Sequence, residues 1–216
     1  MNAYPKITAA QDLGIHTGIA APMRIDNIDT DQIIPSREMK HVSKQGLSAG
    51  LFAGQRYLAS ADLRKPNPSF ILNKKPFDHS SILLAGKNFG CGSSREHAVW
   101  AMHEFGFKAI IAESFGNIFR TNCLRNGLIP IVLEAKEIEH IVQFVNAKQT
   151  NNKVTIDLHK RQVNLLDESE FNFELESYFQ EMLFQNLDFI ALTLKHKKSI
   201  DDFIQRDKIA RPWAYL

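Results

Sequence analysis

Cysteine is scarce. Cys91 and Cys123 stand alone and far apart in a chain of 216 residues. That spacing excludes a disulfide framework and the paired-cysteine pattern of a thiolate metal site. An iron–sulfur cluster takes several thiolates, commonly grouped in sequence, and two isolated ones are too few. Cys91 reads better as a small buried side chain. Long apolar runs are missing too: none approaches the ~20 residues of a membrane-spanning helix. Met1–Thr8 lacks the charged-then-apolar order of a secretory leader. A cytoplasmic protein without a membrane partner is the expectation. Charge of one sign is also lacking, with 26 Lys and Arg against 24 Asp and Glu, a net charge of +2. Nucleic-acid binding would need a strong basic excess or a basic block. The short cluster Lys195–Lys198 reads as a solvated helix end. The eight histidines show no ligand spacing, since His97 and His103 fall on different faces of a helix.

What is present suits a globular fold. The hydrophobic fraction is 44% and the charged fraction 23%, ordinary values for a chain with a packed core. The length fits a single domain over residues 1–216, with a core of about 15–135 and a C-terminal extension of about 136–216.

The middle of the chain alternates strand and helix. Ser81–Ala85 is a continuous apolar run, the mark of a buried strand. A glycine-rich turn leads to a helical pattern over Arg95–Phe105, with Ala98, Ala101, Met102 and Phe105 on one face and Gly106 as its stop. Strand Ala109–Ala112, helix Asn117–Arg125, stop Gly127 and strand Ile129–Leu133 follow. Such an order implies right-handed crossovers and a partly parallel sheet, an α/β core.

Around that core, Ile15–Ile25 reads as extended and Asp26–Asp31 as a polar loop. Gly46–Pro68 has no steady period and reads as a long mobile loop. After a helix over Glu137–Ala147, the alternating runs Val154–Leu158 and Gln162–Leu165 predict an antiparallel hairpin. Phe173–Leu194 is helical in period, and Ser199 with Asp201 and Asp202 resembles the start of a last helix. Arg211-Pro212-Trp213 forms a tail. Trp213 and the aromatic C-terminal helices are either contact surface or aromatic core.

The segment Gly86-Lys87-Asn88-Phe89-Gly90-Cys91-Gly92-Ser93-Ser94-Arg95-Glu96-His97 carries the chemistry. Glycines let a backbone approach a ligand, and a helix start aims N–H groups at an anion. Arg95 can hold a carboxylate through two parallel hydrogen bonds. A P-loop fails because Lys87 precedes the later glycines, and a dinucleotide fingerprint fails because Arg95 stands where a small residue is required. A plainer reading is a capping box, with Ser93 as N-cap and Glu96 reaching back. Two nearby glycines, a second serine and an arginine exceed what a cap needs.

Asn88-Phe89-Gly90-Cys91-Gly92-Ser93-Ser94-Arg95-Glu96-His97-Ala98 resembles the signature of the swivelling domain shared by aconitases and isopropylmalate dehydratases. Asp29-Thr30-Asp31-Gln32-Ile33-Ile34-Pro35 resembles that family's N-terminal Thr-Asp loop. Pro66–Asn73, Ser114–Asn122 and Gly127–Pro130 resemble further family segments in the same order, and the closing Arg211-Pro212-Trp213 extends the likeness to nearly the whole chain.

The resemblance implies a swivelling β/β/α domain with a central βαβ core and a C-terminal hairpin-plus-helix extension. It implies the small subunit of a split hydro-lyase, partnered by a large subunit that holds a 4Fe-4S cluster, with no metal or cofactor on this chain. The implied reaction eliminates water from a small dicarboxylic hydroxy acid and adds it back the other way round, in leucine biosynthesis for this longer bacterial form. By resemblance Ser93 is the base and Asp31 orients a hydroxyl or pairs with Arg95, while Ser94, Arg95 and Thr30 face the substrate. Leu47, Leu51, Phe52, Tyr57 and Leu58 either meet an isopropyl group or pack the loop. Arg56 would hold a third carboxylate, as in homoaconitase-type chemistry. A citraconate-type hydratase and a non-catalytic anion-binding regulatory module are the alternatives.

Overall fold

The computed structural model describes residues 14–39, 44–58, 64–147, 153–185, 187 and 189–215; Met1–Thr8 lies outside them. The first part of the chain runs β1 (Ile15–Met23), α1 (Thr30–Ile33), α2 (Ala53–Arg56), β2 (Ile82–Ala85), α3 (His97–Phe105), β3 (Ala109–Ala112), α4 (Asn117–Arg125) and β4 (Ile129–Val132). There follow α5 (Ala135–Ala147), β5 (Lys153–Asp157), β6 (Gln162–Asn164), β7 (Glu170–Asn172), α6 (Ser177–Gln185), α7 (Phe189–Leu194) and α8 (Lys197–Ala210).

One seven-stranded sheet is formed, in the order β4-β3-β2-β1-β5-β6-β7. β1 is its pivot. Its first half, Ile15–Ile19, pairs antiparallel with β5, and its second half, Ala20–Met23, pairs parallel with β2. The parallel half is buried and continuously apolar at β2 and β3, as strands covered on both faces must be. Pro130 fits within β4 because that strand lies at the sheet edge, where a missing N–H costs no ladder bond.

Alternation along β2 and β3 divides the core in two. Leu83, Ala85, Ile110 and Ala112 face α3, with Ala98, Val99, Ala101 and Met102 against them. Ile82, Leu84, Ala109 and Ile111 face the other way, toward Ile138, Ile141 and Phe144 of α5 and Phe179, Met182 and Leu183 of α6. The expected α/β core with its hairpin and helices is therefore present.

Several boundaries differ from the sequence reading. Phe173–Leu194 is no single helix. β7 has joined β6, Phe173 still bonds back to the Arg161 carbonyl, and Phe173 and Leu175 are buried from an extended segment. Cross-strand pairing overrides the helical period there. Ser199 lies inside α8, whose cap residue is His196, and Lys197 pairs with Asp201 one turn on. α8 buries no residue and Trp213 is 68% exposed, so the last helix and tail are surface, whereas α6 contributes to the core.

Gly46–Pro68 is also more ordered than expected. Ser48–Gly50 forms a 3-10 turn, α2 follows, and Tyr57 bridges Pro66; residues 59–63 lie outside the described residues. Leu47, Leu51 and Phe52 are buried, each burial worth roughly 1.5–3 kcal/mol. That is enough to fix the segment. Glu104 of α3 adds two short bonds, accepting from the backbone N–H groups of Gly46 and Ser48 at 2.6 Å each.

Candidate active site

The loops leaving β1, β2 and β3 run side by side beyond the carboxyl ends of the strands. In open α/β sheets ligands bind in that region. Asn27 N–H donates to the Lys87 carbonyl at 2.8 Å, Gly90 N–H to Ile28 at 2.7 Å, and Thr30 N–H to Cys91 at 3.0 Å. On the other side Phe89 N–H donates to Ser114 at 3.0 Å and Gly116 N–H to Phe89 at 2.9 Å. Gly90 has φ +72°, and a Cβ there would meet the Phe119 ring at 2.2 Å. Gly92, at φ +91°, then turns the chain so that Ser93–Arg95 lie beside Thr30 and Asp31.

Four residues singled out in the sequence are thereby brought together. Asp29 caps α1 by accepting from Gln32 N–H at 2.7 Å, which orients the next two residues. Thr30 is buried, and its Oγ1 donates to the Ser93 carbonyl at 3.3 Å. The Arg95 guanidinium donates to the Asp31 carboxylate, which also accepts from Ser36 Oγ at 3.1 Å. The Arg95 bond holds the Asp31 carboxyl below its usual range, burial opposes it, and Ser36 assists. Ser93 and Ser94 are exposed. An exposed hydroxyl pair and a guanidinium beside it suit a small carboxylate ligand.

The capping box does not form. α3 begins at His97 with Glu96 in the cap position and no side-chain cap bond. The Gly92 turn keeps Ser93–Arg95 out of the helix. Glu96 has a different partner, accepting from Asn126 Nδ2 at 2.7 Å. Asn122 Nδ2 donates to the Ser94 carbonyl at 3.4 Å. Neither asparagine was singled out in the sequence, although their i, i+4 spacing on a helix just before Gly127 was readable.

Arg56 ties its loop to Asn73 and to the end of α3. Nη1 donates to the Ser48 carbonyl at 3.0 Å and Nε to Asn73 Oδ1 at 3.4 Å, and the guanidinium lies 5.0 Å from the Phe105 ring centroid. Phe105 closes the last turn of α3, whereas Arg95 precedes its first. Leu47, Leu51 and Phe52 are core. Tyr57 donates to the Ala49 carbonyl at 3.1 Å, and Leu58 is exposed.

Cys91 is half-buried, a small correction to the buried role expected for it, and Cys123 is fully buried. Burial pushes the Cys123 thiol well above its ordinary value, so it is held protonated, which a thiolate ligand cannot be. Among the described residues no group of three or more His, Cys, Asp or Glu could hold a metal ion. The described residues of this chain do not fit an iron–sulfur cluster. Among the same residues no helix is long and apolar enough to cross a membrane.

A sheet with a Ser-Ser-Arg turn at the ends of its parallel strands defines an aconitase-type α/β domain, and the family described as "Aconitase C-terminal domain" matches residues 10–136. The 3-isopropylmalate dehydratase small subunit of Cupriavidus necator is 52% identical over 202 residues, 94% of this chain and 97% of the relative. That of Agrobacterium fabrum is 42% identical over 92% of this chain and 96% of its own. The crystal structure of 3-isopropylmalate dehydratase from Methanocaldococcus jannaschii superposes with a TM-score of 0.62 at 31% identity, covering 87% of this chain and 98% of that one. The chain belongs to the family of 3-isopropylmalate dehydratase small subunits.

Proposed function

We propose that this chain is the small subunit of a hydro-lyase that isomerises 2-isopropylmalate to 3-isopropylmalate, the second step of leucine biosynthesis, and that it acts only with a large subunit. The observation that carries the reading is the junction of Thr30 and Asp31 with Ser93 and Arg95 across the ends of β1 and β2. The relatives' names support the substrate and the partner. A 4Fe-4S cluster is expected on the large subunit. The setting is cytoplasmic, without nucleic acid or membrane.

Moving a hydroxyl between adjacent carbons requires loss of a C–H proton from one and of the hydroxyl from the other, together one water, and their return to the opposite carbons. Ser93 Oγ takes the proton from the carbon beside a carboxylate and returns it during rehydration. A hydroxyl is a poor base in water, so its anion needs local positive charge. Arg95, two residues on, supplies it. Ser94 and Arg95 grip the carboxylate, and bidentate geometry suits a guanidinium already aimed by a second carboxylate. Asp31 does that aiming. Thr30 pins Ser93 through its carbonyl and leaves the hydroxyl to the substrate. Arg56, whose guanidinium braces the Ser48 carbonyl and Asn73, is on this reading the residue that faces the substrate's third group.

Mixing the chain with a cluster-loaded 3-isopropylmalate dehydratase large subunit under anaerobic conditions tests this reading. Absorbance of the unsaturated intermediate should grow from 2-isopropylmalate only when both chains are present. Turnover confined to homocitrate or citramalate would keep the chemistry and move the substrate. A complex that turns over none of the three would favour an anion-binding regulatory module.

A further inference from the structure

We infer that Asn126 is a positioning residue for the reacting turn, acting through Glu96 and the first turn of α3. The inference rests on the functional reading above. Ser93–Arg95 belong to no helix or strand, so contacts from outside must fix their direction. Thr30 and Asp31 hold one side, at the Ser93 carbonyl and the Arg95 guanidinium. The other side is held from the end of α4.

There the Asn126 carboxamide is buried, with both N–H donors and the oxygen engaged. Nδ2 donates to Glu96 Oε1 at 2.7 Å and to the Asn122 carbonyl at 2.9 Å. Oδ1 accepts from Trp100 Nε1 at 3.0 Å. Glu96 and Trp100 are one turn apart, and Trp100 N–H donates to the Glu96 carbonyl at 3.1 Å. One side chain therefore clamps both ends of the opening turn of α3. Asn122, one turn earlier on α4, holds the Ser94 carbonyl. The amide orientation is fixed by its partners: a carboxylate needs the N–H side and an indole N–H needs the oxygen side. A carboxylate at 126 would satisfy Trp100 but confront Glu96 and the Asn122 carbonyl.

That asymmetry makes the role testable in the full-length chain, reconstituted with the large subunit. Asn126→Asp should lower kcat by about tenfold or more near pH 8, an effect of misplaced reacting groups. Two facing carboxylates hold one proton between them more tightly than either alone. The variant should therefore recover relative to wild type as pH falls toward 6, a pH profile that general destabilisation would not produce. Adding Glu96→Gln restores a donor–acceptor pair between 96 and 126 with the polarity reversed, so kcat should rise well above that of the single variant, with the Asn122 carbonyl as the one contact left unrestored. Asn126→Asp with wild-type kcat, or a double variant as impaired as the single one, would overturn the inference. Exchange of the Trp100 indole proton in the free wild-type chain gives a readout without activity. Slow exchange supports the clamp, and exchange at the rate of an exposed indole overturns it even if the variants fail to fold. Absence of turnover by the wild-type complex would instead strike the functional reading, and this inference with it.

Discussion

Arg95 donates to Asp31 across the carboxyl ends of β1 and β2, although 64 residues separate them in the chain. The pair adds little stability, because both side chains reach solvent and exposed ion pairs contribute little, and on the proposed function its part is to align Arg95. Asp31→Asn keeps the shape and removes the charge. The reconstituted enzyme should lose roughly 10–100-fold in kcat/KM while the free chain's unfolding midpoint hardly moves. Steady-state kinetics and a thermal melt check both halves, and an unchanged kcat/KM would contradict the alignment role.

Acid should weaken the fold through histidines rather than through this pair. Burial first, and Lys108 second, lower His16, which bonds Ser81 Oγ at 2.8 Å. Burial, Lys108 and Lys44 lower His103 in the same way. Below the ordinary value of 6.5 the unfolded chain takes up protons that the folded chain resists, so stability falls as pH drops through that value. Asp31, lowered from 3.8, stays charged throughout that window. Urea unfolding at pH 7.5 and 5.5 should show the loss, and His16→Gln should reduce it.

Gly90 separates a steric demand from a chemical one. Gly90→Ala places a methyl group into the Phe119 ring at positive φ, and should destabilise by about 1–3 kcal/mol or more. Gly54→Ala, in α2 with nothing within 4 Å, should be neutral or slightly stabilising. Equal effects in denaturant titrations would refute the close approach at Gly90.

The C-terminal strands make the domain one folding unit, on our reading. β5 is the inner neighbour of β1, and Val154, Ile156, Leu158 and Val163 complete the second core. A chain ended after Ala147 should lack cooperative unfolding, whereas full-length protein should melt in one transition. A stable truncated core would contradict this.

How much of this was legible in the sequence follows from range. Local signals carried β3 and α4 to their limits, because an apolar run between a glycine stop and a loop needs nothing distant to define it. The hairpin was equally local. β7 was not, since only its partner β6 makes Glu170–Asn172 a strand. At the site, motif resemblance named Thr30, Asp31, Ser93 and Arg95, and their meeting depended on loop-to-loop bonds that no residue pattern encodes. The plainer capping-box reading of Glu96 fails for the same reason: that rule is local, and its partner Asn126 comes from the end of the next helix.

On the proposed function Ser93 moves the proton, and the decisive measurement is turnover by Ser93→Ala in the reconstituted complex. Ser93 is exposed, and the bond described for it uses its carbonyl. Removal of Oγ should therefore leave folding and complex formation intact. The variant should form a complex of normal affinity whose kcat on 2-isopropylmalate falls by roughly a thousandfold or more, as loss of a reacting base requires. Turnover near that of wild type would contradict it.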